Sequence, residues 1–101
     1  MKKNEATNGN GAYITTLDRF GYDFTAIGRT AEESMNAISK EYKKWYADAN
    51  DLNPSMIEEV LANRDKLGEY DEDYQEFVEC YDIAMSEAYT EFIEFGQVVH
   101  K

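Results

Sequence analysis

Residues 12–33, AYITTLDRFGYDFTAIGRTAEE, hold two strands, a turn and the start of a helix in one run. Ala12 to Phe20 is rich in β-branched and aromatic residues, the types that pack well on a pleated surface. Tyr22 to Thr30 alternates Tyr22, Phe24 and Ala26 against Asp23, Thr25 and Ile27, so successive side chains fall on opposite faces. Gly21 lies between the two runs and supplies a turn residue. The pair reads as a β-hairpin. Thr30-Ala31-Glu32-Glu33 then has the form of a capping box. In it the Thr30 hydroxyl accepts from the Glu33 amide, and the Glu33 side chain reaches back to Thr30.

Outward from this run the period changes from two to about 3.6. Met35, Ile38, Tyr42, Trp45 and Ala49 recur at spacings of three and four, an apolar helix stripe that stops near Asn50. Asn53-Pro54 opens a second helix, with Asn as the cap and Pro in the first turn. Its stripe is Met56, Ile57, Val60, Leu61 and Arg64, and Gly68 is expected to end it. Asp71 is expected to cap a third helix from Glu72 to about Ser86, with the stripe Tyr74, Phe77, Val78, Tyr81 and Met85. Tyr89, Glu91, Ile93 and Phe95 then alternate with Thr90, Phe92 and Glu94. That reads as a strand, and continuation of the third helix through Phe92 is the competing reading. The order is β-β-α-α-α-β. A hairpin alone is marginal in water. The expected fold is therefore α+β, a small three-stranded antiparallel sheet with the helices packed on one face. Residues 1–11 are expected to be a disordered lead, and residues 12–101 a single α+β domain.

Composition narrows the function. The chain has 101 residues, 43% hydrophobic and 14% aromatic, enough apolar bulk for one packed core. The formal net charge of −11 excludes a sequence-independent nucleic-acid binder, which needs Lys and Arg against phosphate. It also argues against an anionic membrane surface and favours a basic partner. No run of apolar residues is long enough for a membrane-spanning helix. MKKNEATNGNG has no apolar stretch, so no secretory leader is expected. Cys80 is the only cysteine, so the simplest compartment is a reducing cytoplasm.

The charge is polarised. Residues 1–52 carry seven bases against eight acids, whereas residues 53–101 carry three against thirteen, a net of −10. The densest stretch is GEYDEDYQEFVECYD, residues 68–82, with seven carboxylates and no base. Glu72, Glu76 and Glu79 share one helix face, flanked by Asp73 and Asp82, and Glu69 and Asp71 crowd the helix start. Acids in a first turn are favoured by the helix dipole, but Glu79 and Asp82 lie beyond it. Like charges four residues apart cost a few tenths of a kcal/mol, and Glu72 and Glu76 are such a pair. Their Cβ atoms would lie about 5–6 Å apart. Phosphates on one DNA strand are roughly 3.4 Å apart along the axis and farther along the backbone path. A row of carboxylates at this pitch can stand in for a phosphate backbone in a basic groove. A solvated helix face is the plain alternative. Tyr70 and Tyr74 lie within the acidic run and are placed to stack on a partner's Arg.

Other chemistry is sparse. His100 is the only histidine and Cys80 reads as a small core residue, so no catalytic residues are assigned. Asp71, Asp73 and Glu76 lack the spacing and glycine of a calcium loop, as does the stretch from Asp48 to Asn53. No metal site and no cofactor is expected.

YITTLDRFGYDFTAIGRTAEESMNAISKEY, residues 13–42, resembles the opening hairpin and helix of small proteins from phages and mobile elements of Gram-positive bacteria. YTEFIEFGQVV, residues 89–99, is similar to their last strand. Some small acidic proteins of this origin are anti-CRISPR inhibitors of type II CRISPR effector nucleases. The resemblance implies a non-enzymatic protein in the cytoplasm of a bacterial host. It would bind such a nuclease and block DNA binding or cleavage. The acidic run, not the resemblance, supplies the expected partner-binding residues: Glu69, Tyr70, Asp71, Glu72, Asp73, Tyr74, Glu76, Glu79 and Asp82. The partner surface would be the basic nucleic-acid-binding groove of that host defence nuclease, with no direct nucleic-acid contact and no membrane. The alternative is a phage or mobile-element adaptor that binds its partner through a tyrosine-rich or sheet-edge surface. An exposed strand edge leaves a homodimer open.

Overall fold

In the computed structural model the described residues are 11–19 and 21–95. The expected lead over residues 1–10, the strand end at Phe20, Gly96 and His100 lie outside them. The elements run β1 (Gly11–Arg19), β2 (Tyr22–Gly28), α1 (Ala31–Asn50), α2 (Pro54–Ala62), a 3-10 helix (Arg64–Glu69), α3 (Glu72–Glu87) and β3 (Tyr89–Glu94). This is the expected β-β-α-α-α-β order, and the chain is α+β. Two compact units form, Met1–Ser39 with Ala88–Lys101 and Lys40–Glu87, and α1 runs from one into the other.

The first unit holds the sheet, in the order β2-β1-β3 with both pairings antiparallel. The chain reverses between Arg19 and Tyr22, where Gly21 has φ of +80°, a backbone that favours glycine. β1 begins at Gly11, opposite Glu94, one residue inside the expected lead. The register puts Leu17 beside Phe24, Thr15 beside Ala26 and Tyr13 beside Phe92, all on one face. Tyr13 and Phe92 meet edge to face at 5.1 Å. The other face pairs Ile14 with Ile27 and Ala12 with Ile93. β3 is a strand rather than a longer α3, because Tyr89–Glu94 has period-two alternation and a free edge of β1 to pair with.

The first turns of α1 lie against the Thr15 face. Thr15 and Ser34 are both fully buried. Thr15 Oγ1 lies 2.6 Å from Ser34 Oγ and 2.6 Å from Thr90 Oγ1, and Ser34 donates to the Ala31 carbonyl at 3.0 Å. Each hydroxyl has one proton, so the chain of donors runs Thr90, Thr15, Ser34, Ala31 carbonyl. One line of hydroxyls thus ties β3, β1 and α1 together.

The capping box forms with one change. Glu33 N–H donates to Thr30 Oγ1 at 3.0 Å, but the Glu33 carboxylate accepts from the Arg29 amide rather than from Thr30. The Arg29 guanidinium also donates to Glu33 and draws the carboxylate one residue further back. These Arg29 contacts hold Glu33 below the usual carboxylate range. Gly28, just before this cap, sits so close to α1 that an added Cβ would lie 2.5 Å from Ser34 N. Neither backbone can give way cheaply. Gly28→Ala is expected to lower stability by about 1–3 kcal/mol, the range for overpacking, and chemical denaturation measures it. An unchanged midpoint would mean that β2 and α1 are not in contact there.

The second unit packs the rest of α1 with α2, the 3-10 helix and α3. Tyr42, Tyr46, Ala47, Ile57, Val60, Phe77, Val78 and Ala84 are its buried apolar residues. The α1 stripe therefore passes from Tyr42 to Tyr46, while Ala49, expected on it, is exposed. α1 ends as expected near Asn50. Asp51 is left-handed with φ of +57°, and Leu52 N–H donates to the Ala47 carbonyl at 2.9 Å. Asn53 Oδ1 caps α2 by accepting from Ser55 N and Met56 N.

α2 stops at Ala62, six residues before the expected terminator Gly68. Asn63 explains this. Its side-chain amide donates to the Glu59 carbonyl at 2.9 Å, and its backbone N–H is shared by the Glu59 and Val60 carbonyls. An Asn that bonds its own preceding turn competes with helix continuation. The chain goes on as a 3-10 helix with a kink at Lys66. Arg64, expected on the α2 stripe, belongs to that segment and is exposed.

Candidate binding surface

α3 starts where Tyr74 and Gln75 N–H groups donate to the Asp71 carbonyl at 3.0 and 3.1 Å. Its apolar side, with Phe77, Val78 and Ala84, is buried in the second unit. Phe77 stacks edge to face on Tyr46 at 5.1 Å and lies 5.6 Å from Tyr81. With that side fixed, helical spacing aims Glu72, Glu76 and Glu79 outward, and all three are exposed. No salt bridge reaches any of them among the described residues.

These three, with Asp82, Gln75, Leu67 and Val78, line an open groove of about 620 Å³. Four of the nine expected binding residues therefore meet at one place. The other five do not line it. Glu69 closes the 3-10 helix, Asp71 sits at the α3 start, and Asp73 is in the first turn. Tyr70 and Tyr74 already use their hydroxyls. Tyr70 donates to Glu59 Oε2 at 3.1 Å, and partial burial with that carboxylate pushes its phenol up. The Tyr74 oxygen accepts from Asn53 N–H at 2.9 Å. Both tie α3 and its approach to α2, a structural use that competes with stacking on a partner's Arg.

Asp82 corrects the reading of an acidic run without counter-charge. Arg64 Nη1 lies 2.6 Å from Asp82 Oδ2. The pair is half-exposed, so it is worth about 0–1 kcal/mol, but it gives Asp82 a counter-charge that the other three acids of the groove lack. The bare acidic face is Glu72, Glu76 and Glu79. Gln75 completes the lining, and its place was legible, since it is three residues from Glu72 and four from Glu79. Leu67 comes from the 3-10 helix and had no local signal.

No protein-family model, curated protein or solved structure matches the chain.

None of these comparisons links the chain to phage or mobile-element proteins. Cys80 is half-buried beside the Tyr46 hydroxyl, which donates to its sulfur at 3.9 Å. Burial first, and then Cys80, push the Tyr46 phenol up, so it stays a neutral donor there. No group of three or more His, Cys, Asp and Glu side chains is placed to hold a metal ion among the described residues. No helix among them is long and apolar enough to cross a membrane.

Proposed function

We propose that the protein is a non-enzymatic inhibitor whose α3 face takes the place of a phosphate backbone in the basic nucleic-acid groove of a nuclease. The target class is a type II CRISPR effector of the bacterial host. The observation that carries this reading is the exposed, unpaired row of Glu72, Glu76 and Glu79 along one open groove. Such a row repels itself and is held in place by the apolar side of the same helix, so its local cost implies a use outside the chain. A CRISPR effector carries its heteroduplex in a positively charged channel, which is the complementary surface.

The test is capture of a guide-loaded type II effector by the tagged protein at low and high salt, with and without target DNA. Capture is expected to fall at least tenfold between about 0.05 and 0.5 M salt, because opposed charges are screened beyond roughly 4 Å at the higher value. Target DNA is expected to compete. Capture indifferent to both would remove the phosphate-mimic reading.

A second reading has its own observation. Ile27 is 68% exposed and Tyr89 63% exposed on the same sheet face, each on an edge strand. An adaptor would use this surface, and then substitutions at Ile27 and Tyr89, not at the three glutamates, would release the partner.

A further inference from the structure

The second unit gathers three of its five basic residues at one place. Residues 40–87 carry five bases against fourteen acids, yet Lys40, Lys43 and Lys44 all line one slot with Ala47, Asp48, Pro54, Ile57 and Glu58. The slot has a volume of about 200 Å³. It shares no residue with the acidic groove. Its floor is apolar: Ala47 and Ile57 are buried, and the small Ala47 side chain, one turn from both Lys43 and Lys44, leaves the space open. Lys43 lies 2.8 Å from Glu58 Oε2, which neutralises that pair and fixes the Lys43 stem against the wall. Lys40 and Lys44 remain. They are four residues apart on one face, both exposed, and neither forms a salt bridge among the described residues. Two like charges at that spacing repel in the empty protein, and an anion between them would relieve it. Asp48, one turn beyond Lys44, is the one opposing charge left in the lining.

We infer that this slot binds a small amphipathic anion, a single ring or short acyl chain bearing a phosphate or carboxylate, with the apolar part on Ala47, Pro54 and Ile57 and the charge between Lys40 and Lys44. The size sets the class. Sites for drug-sized ligands span roughly 300–1,000 Å³, so this one takes a fragment. The amide groups at the α2 start do not supply the anion contact, because Asn53 Oδ1 already accepts from Ser55 N and Met56 N.

Phenyl phosphate is the probe, added to the full ¹⁵N-labelled chain and followed by amide shifts. Saturable shifts confined to residues 40–48 and 54–58 are expected, with a dissociation constant of about 1 mM or below. Inorganic phosphate alone and benzyl alcohol alone are each expected to bind at least tenfold more weakly. Lys40→Glu with Lys44→Glu changes two exposed side chains, leaves the fold intact, and is expected to weaken phenyl phosphate at least tenfold. Equal shifts with inorganic phosphate would overturn the proposal in favour of plain lysine–anion pairing. Non-saturating shifts, or binding untouched by the double lysine variant, would also overturn it. So would an acidic aromatic peptide that occupies the slot while phenyl phosphate does not.

Discussion

Glu72→Lys, Glu76→Lys and Glu79→Lys together are expected to abolish capture of the effector while leaving the fold intact. The fold should survive because all three side chains are exposed and bond to nothing among the described residues. Lysine is as good a helix former as glutamate. The change removes the Glu72–Glu76 repulsion but installs an equivalent one, and loss of the first-turn acid at Glu72 costs about 0.3–1 kcal/mol against the helix dipole, a small part of the stability of a domain. Binding is another matter. Electrostatic steering raises association rates by about 10–10³-fold, and juxtaposed like charges cost several kcal/mol. Reversal of three charges at the centre of the face should therefore lower affinity by at least about 100-fold. Glu32, Glu41 and Asp65 are also exposed, and none of them lines the groove. Reversing those three changes the net charge equally. If that control lost capture as completely, overall charge and not the α3 face would be responsible. Asp82 is best left out of the set, because Asp82→Lys would also release Arg64.

A feature of this fold is legible in the chain when its signal acts over a short range. The hairpin, the α1 cap and the alternation of Tyr89–Glu94 were legible because each depends on neighbours within a few residues. That β3 joins the hairpin was legible too, since a lone hairpin needs a third strand and only one remained, but its pairing with β1 rather than β2 was not. The Glu72, Glu76 and Glu79 face followed from the helical period once α3 was placed. What escaped was set by partners distant in sequence, or by competition between two local rules. Gly68 carries a strong terminator signal, but Asn63 bonds the preceding turn first and the helix never reaches the glycine. Arg64 fits an apolar stripe by spacing alone, and its partner Asp82 is eighteen residues away. Tyr70 and Tyr74 look available for a partner until Glu59 and Asn53 are brought beside them. The lysine slot was hidden for the same reason: Lys40, Lys43 and Lys44 are adjacent in the chain, but its far wall comes from Pro54, Ile57 and Glu58 on α2.

Phe77→Ala is expected to be the most damaging single truncation. The ring is fully buried and lies between Tyr46 and Tyr81. Truncation of a buried Phe costs about 3–5 kcal/mol, from lost transfer energy and the cavity left behind. The whole stability of a domain is about 5–15 kcal/mol, so the loss is a large share of it. The site raises the stakes further. The opposite side of α3 carries Glu72, Glu76 and Glu79, whose mutual repulsion works against the helix, so the helix depends on its buried side. Trp45 is the only tryptophan and lies 5.6 Å from Tyr42 and 6.2 Å from Tyr46, so its fluorescence reports on this core. Urea titration followed at Trp45 should show a midpoint far below that of the parent chain, with Phe77→Leu in between because it leaves a smaller cavity. Capture of the effector should fall in step with the unfolded fraction, since a frayed α3 no longer presents its carboxylates as a row. A loss below about 1 kcal/mol would show that the ring does not fill this core, and the placement of the acidic face opposite it would fall with that result.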